Sequence, residues 1–260
     1  MKQLIYILSF LLVSCSVKEP GADVMSDSLP DIYPDYTFCT IPANIAPLRF
    51  MLAETEENQD VDDAVAIIEY EGQKIIESAT SHKFLFSEKD WHTLLQSAKG
   101  KDINVKVYTQ KDNQWTLHKP FQIKVADEEI DTHLAYRLIP PGYDLWYQLG
   151  IYQRDLTSYE ETAIAVNRLT DHNCMNCHSF NMQNPNTMML HMRKDHGGTY
   201  IKKEGKIEKI NGNVDDDIPN MVYPYWHPSG NYIAFSTNDI HQKFHMKDKN
   251  RIEVFDNNSN

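Results

Sequence analysis

The chain has no lysine- or arginine-rich run, and its 25 basic residues are outnumbered by 37 acidic ones, for a formal net charge of −12. The electrostatic attraction that nucleic-acid binding depends on is therefore missing, which argues against DNA and RNA as partners. The apolar stretch at its start, Leu4 to Val13, is ten residues long, too short to span a bilayer. No βαβ pattern surrounds Cys174 and Cys177, so little supports a thioredoxin-like redox pair. Hydrolase chemistry has no constellation either: Ser229 lies in a Pro-Ser-Gly turn, and Asp215-Asp216-Asp217 reads as a solvated loop. What remains is a chain of 260 residues, 41% hydrophobic and 24% charged, ordinary for globular protein and long enough for two domains.

A lysine at position 2, the short apolar core and the sequence Leu12-Val13-Ser14-Cys15 describe an export signal over residues 1–14. Those last four residues resemble the lipobox of bacterial lipoproteins. The resemblance implies cleavage before Cys15, lipidation of its sulfur, membrane attachment through that lipid and a place in the bacterial cell envelope. Residues 15–37, rich in Pro, Ser and Asp, are expected to form a tether.

Residues 38–126 read mainly as strands. Ala64–Tyr70 is a β-rich run, while Ile103, Val105 and Val107, then Phe121, Ile123 and Val125, alternate with polar residues so that one face of each strand meets a core. One helix interrupts them: Ser87 and Asp90 form a variant capping box, Trp91, Leu94, Leu95 and Ala98 follow at helical spacing, and Gly100 ends the element. With a hairpin turn at Lys111-Asp112-Asn113, the segment is expected to be an immunoglobulin- or fibronectin-like β-sandwich. Cys39 reads as a buried, unmodified thiol.

Residues 127–200 change character. Pro140-Pro141-Gly142 forces a turn, Tyr143, Trp146, Tyr147, Tyr152 and Tyr159 crowd behind it, and Ser158 with Glu161 can cap a short helix through Asn167. Then comes Cys174-Met175-Asn176-Cys177-His178, one C-x-x-C-H, the c-type haem attachment pattern. Two thiols at this spacing can each form a thioether to one edge of a porphyrin, and the following histidine can ligate the iron. Met182, Met188, Met189, His191, Met192 and His196 follow; His191 is the first choice of distal ligand, with Met188 and Met189 as alternatives. The competing reading is a zinc site, because Cys174, Cys177, His191 and His196 are spaced C-x2-C-x13-H-x4-H, within the Cys2His2 range.

Residues 201–260 hold a last unit. Pro224, Trp226, Pro228 and Gly230 build a P-x-W-x-P-x-G turn, Ile233 and Phe235 alternate after it, and Ile252, Val254 and Phe255 offer another strand. This resembles the repeat of TolB-like propellers, in which the turn links two strands of a blade. A propeller needs roughly four to eight blades, so residues 201–260 are expected to be a first, incomplete blade.

The lipobox, the Ile41–Leu48 run, Tyr136-Arg137-Leu138-Ile139 with Pro141-Gly142-Tyr143, the C-x-x-C-H block and the propeller turn together resemble the exported TolB-like, WD40-like (PD40) β-propeller lipoproteins that carry a cytochrome c-type motif. The resemblance implies a mainly β, lipid-anchored envelope protein with haem c on Cys174 and Cys177, His178 as proximal ligand, and a protein partner met through the propeller. It supplies no reaction. Electron transfer or redox sensing is the leading expectation; the alternative is a protein- or glycan-binding module with structural zinc.

Overall fold

A computed structural model describes residues 17–140, 148–210, 221–237, 240–242, 245–246 and 251–256. The chain is mainly β. It divides into two compact units: the first runs to Thr132 and takes back Asp155–Tyr159, and the second comprises His133–Arg154 and the chain from Glu160 onward. The expected signal peptide, Cys15, the aromatics Tyr143, Trp146 and Tyr147, and Asp215–Asp217 lie outside the described residues.

The first unit is built on a seven-stranded sheet. Asp102–Lys111 lies at its centre, pairing antiparallel with Asp63–Tyr70, Gln114–Leu117 and Phe121–Val125. The alternation read from sequence sets its faces. Ile103, Val105, Val107, Phe121, Ile123 and Val125 are all buried on one side, and Ala64, Ala66 and Ile68 join them there. Two elements cover that side: a three-stranded sheet of Ile32–Tyr33, Arg49–Leu52 and Lys83–Leu85, and the helix Glu88–Ser97. The helix forms as expected, with Ser87 Oγ accepting from the Asp90 N–H and Trp91, Leu94 and Leu95 buried. The hairpin after Lys111 turns through Asp112 and Asn113, both at positive φ (49° and 64°), the two-residue geometry that matches strand twist.

Residues 17–37 differ from the expected tether. Val24–Met25 adds to the seven-stranded sheet in parallel with Gln114–Leu117, Ile32–Tyr33 pairs with Arg49–Leu52, and Ile32 is buried. The tie is strengthened on the face opposite the core, where Glu19 meets Lys74 Nζ at 2.6 Å, accepts from Tyr108 Oη at 3.0 Å and lies 3.6 Å from Lys106 Nζ. The Lys74 hydrogen bond above all holds the Glu19 carboxyl below its usual range, against burial. Burial, then the Glu19 contact, pushes the Tyr108 phenol up to about 12. Composition gave no sign of this, because the contacts are backbone ladders and one carboxylate rather than an apolar face. Cys39 is a free thiol packed beside the core, partly rather than fully buried.

Asp155–Tyr159 also belongs to this unit. Leu156 accepts from the Ala46 N–H at 2.8 Å, and Arg49 lies 3.3 Å over the Tyr159 ring. Tyr159 is therefore packed within the first unit.

The second unit is a succession of antiparallel sheets. Three strands, His133–Leu138, Gly150–Asp155 and Glu161–Val166, form the first. The helix expected from Ser158 to Asn167 is replaced by the last of these, since Ile151 buries fully against its neighbours and strand pairing outweighs a capping signal. Residues 127–200 are thus built largely of strands. The motif opens a four-stranded meander of Met175–Phe180, Thr187–Met192, Gly198–Lys203 and Lys206–Ile210, and the expected boundary at residue 200 falls inside its third strand. A further sheet holds Met221–Trp226, Tyr232–Thr237 and Arg251–Asp256. The middle sheet is covered on both faces: Leu149, Ile151, Met175 and Met192 pack on one side, and Met189, Ile201, Trp226 and Phe235 on the other. Among the described residues no sheet closes on itself.

The turn after Trp226 is anchored to the middle sheet. Trp226 Nε1 donates to Ser179 O at 3.4 Å, and Asn181 Nδ2 donates to Gly230 O at 2.9 Å. Gly230 has φ +73, and a Cβ there would sit 2.7 Å from Asn181 Oδ1. Gly230→Ala is expected to cost about 1–2 kcal/mol from the left-handed backbone alone, and more from the contact with Asn181. Gly72, at φ +84 with open space around it, isolates the backbone part. Urea melts of the two alanine variants should show the larger loss at Gly230.

Candidate functional site

Asn173, 1% exposed, fixes the approach to the motif: its Nδ2 donates to Thr170 O at 2.6 Å, and its backbone N–H donates to the same carbonyl. Cys174 follows in the turn, and Cys177 sits on the strand Met175–Phe180. An ideal strand sends successive side chains to opposite faces. Here the pairing with Thr187–Met192 shifts between Asn176 and Ser179, and Cys177 adopts φ 51°. This bulge breaks the alternation, so Cys174, Asn176 and Cys177 all line one cavity of about 130 Å³.

The other lining residues come from three more stretches of the second unit: Arg137 from His133–Leu138, His191 and Arg193 from the strand paired with the motif and its exit, and Tyr223 from Met221–Trp226. Both cysteines are free and partly buried. Burial pushes the Cys177 thiol up, opposed by Arg193, then Arg137, then the backbone N–H of Tyr223. It is a protonated thiol at neutral pH rather than a reactive thiolate. His191 is 7% exposed, and its Nδ1 lies 3.1 Å from Thr199 Oγ1. Burial, reinforced by Arg193, lowers its pKa to about 4, so the ring is neutral at pH 7.

The residues singled out from sequence are thus only partly brought together. Cys174, Cys177 and His191 share the cavity; His178 is half-buried on the motif strand and is not part of the lining. Met188 and Met189 are buried outside it, Met189 in the core against Trp226 and Phe235. His196 Nε2 pairs with Asp171 Oδ2 at 2.9 Å, away from the cavity lining. Among the described residues no group of three or more His, Cys, Asp and Glu side chains is arranged to hold a metal ion. Sequence reasoning passed over Arg137, Asn176, Arg193 and Tyr223. Arg137 stood within a quoted family block, but no spacing rule links it to cysteines 37 and 40 positions away.

The donor chemistry fits a c-type haem: two free thiols at the attachment spacing, a histidine directly after them and a buried neutral imidazole beside them. The cavity does not enclose a porphyrin, since pockets that enclose drug-sized ligands run to about 300–1,000 Å³. A haem held by two thioethers is retained covalently and needs no enclosing pocket.

No family model matches the chain, and no curated protein matches it. Solved structures with some likeness include an oligogalacturonate lyase in complex with manganese, at 10% identity and TM-score 0.32 over 58% of this chain and 47% of the lyase. Another is from work on host cell surface retention of a 1.5-MDa bacterial ice-binding adhesin, at 8% identity and TM-score 0.26 over 83% of this chain and 77% of that one. The chain spans about half of the lyase, and at these scores neither likeness establishes a fold.

Proposed function

We propose that this chain is a lipid-anchored cell-envelope protein that carries a covalently attached c-type haem and serves electron transfer or redox sensing. The observation that carries this reading is the placement of both motif thiols, free and partly buried, on one cavity with His191. When bound, the haem supplies one-electron chemistry. Cys174 and Cys177 would retain it through thioethers, and His178 would be a ligand to its iron. His191 would offer a second iron ligand, because its ring is neutral at pH 7 and, in the tautomer that donates from Nδ1 to Thr199 Oγ1, would leave the Nε2 lone pair for a metal. In the same reading the first unit is an immunoglobulin- or fibronectin-like sandwich, and the sheets of the second begin a TolB-like propeller that meets a protein partner. Support for the latter is the stacking of successive antiparallel meanders and the seating of the Trp226–Gly230 turn on the preceding sheet.

Protein matured in a haem-attaching host is expected to show a Soret band that survives acid and organic extraction, and Cys174→Ser with Cys177→Ser to abolish it. His178→Ala should greatly reduce haem incorporation, while His196→Ala, which removes only the partner of Asp171, should change it little. The alternative, a protein- or glycan-binding module with structural zinc, draws on the fact that three of its four ligands line one cavity. Stoichiometric zinc without haem, lost in the His196 variant alone, would establish that reading instead.

Lipidation of Cys15 is tested separately. Cys15→Ser is expected to move the protein from the detergent phase to the aqueous phase, and unchanged partitioning would remove the anchor from the proposal.

A further inference from the structure

We propose that the cavity beside Cys177 is a binding site for a carboxylate, built by Arg137 and Arg193. The two guanidinium groups come from separate sheets of the second unit, yet both line the same space of about 130 Å³. The other lining residues include Asn176, Tyr223 and His191, and among the described residues no Asp or Glu lines it.

Charge makes this arrangement informative. The chain has 37 acidic residues against 25 basic ones, so carboxylates are abundant, and among the described residues Lys74, Lys99, Lys106 and Lys111 form ion pairs with them. Among the described residues neither Arg137 nor Arg193 is paired with one. Two cations held at one concave site with no counter-charge among the described lining residues favour an anion from outside the fold. Guanidinium is the cation whose planar fork matches a carboxylate bidentately.

Size narrows the ligand. A cavity of about 150 Å³ accommodates benzene, so this one takes a carboxylate-bearing group of about six non-hydrogen atoms or fewer. That ligand is a small free carboxylate: the propionates of a haem leave the porphyrin edge opposite its thioethers, so a haem on Cys174 and Cys177 would not place one in a cavity of this size that those cysteines line. The arginine site itself does not depend on the haem reading, and the measurement separates the two.

The full chain without haem is titrated with sodium propionate by calorimetry at constant ionic strength set with chloride. Saturable binding is expected, with Arg137→Gln and Arg193→Gln each weakening it at least tenfold. Arg193→Lys, which keeps the charge and loses the fork, should weaken it as well. Thermal melts establish that each variant is folded. A haem-free chain that shows no saturable propionate binding overturns the proposal, as does binding unaffected by both glutamine variants. Tighter binding of inorganic phosphate than of propionate overturns the carboxylate assignment. A chain that never accepts haem but binds propionate through these arginines leaves this site standing while the haem reading falls.

Discussion

Trp91→Ala is expected to destabilise the first unit by about 3–5 kcal/mol, the range for removing a large aromatic from a packed core. Trp91 is fully buried on the inner side of the helix Glu88–Ser97, stacked on Phe86 with ring centroids 6.4 Å apart. Its Nε1 donates to Ile45 O at 2.8 Å, so the truncation also orphans a buried carbonyl. The ring sits where the helix, the seven-stranded sheet and the three-stranded sheet share one core, and nothing small can bridge all three. A loss of that size is a large part of the stability of a domain this long. Urea unfolding followed by circular dichroism measures it. Trp115→Ala, a partly buried residue on the other face of the sheet, should cost much less.

Acid is expected to weaken the haem-free second unit through His191 by up to about 3 kcal/mol. The folded pKa, about 4, lies below the ordinary value of 6.5, because the buried ring resists charge and Arg193 opposes it further. As pH falls, the unfolded chain takes up the proton first. The contribution is therefore present above about pH 6.5 and is lost as pH falls toward 4. His191→Gln keeps a hydrogen-bonding side chain beside Thr199 without titrating. The difference in urea midpoint between wild type and this variant should change between pH 7 and pH 4.5, and an equal difference at both would contradict the assignment. Using the difference cancels other groups that titrate in this range, such as His118, whose pKa burial also lowers.

How much of this was legible in the sequence depends on which physical signal each element carries. Strands that bury one face announce themselves by alternation, and Asp102–Lys111 and Phe121–Val125 appear where Ile103, Val105, Ile123 and Val125 place them. The helix was legible because its cap and apolar stripe agree. Val24–Met25 was not, since a two-residue strand is held by backbone hydrogen bonds that any side chains permit. At Glu161–Val166 the cap-like residues spoke for a helix and the partner strand decided otherwise. The site shows the same limit: spacing grouped Cys174, Cys177, His191 and His196, of which the first three share the cavity, but it could not foresee the bulge that turns Cys177 toward it. Nor could it foresee that Met189 would be spent on the core facing Trp226.

The docked segment before Thr37 has a mechanical consequence for a chain anchored at Cys15. A free leash over residues 15–37 would reach about 75 Å at full extension. Glu19 is already fastened to Lys74 and Tyr108, which leaves four residue steps, or about 14 Å, between the lipid and the first fixed point. Such a domain rides close to the headgroups instead of sweeping a volume around its anchor. Its encounters are then set by lateral diffusion along the bilayer, and a partner has to be membrane-bound or come to the surface to meet it.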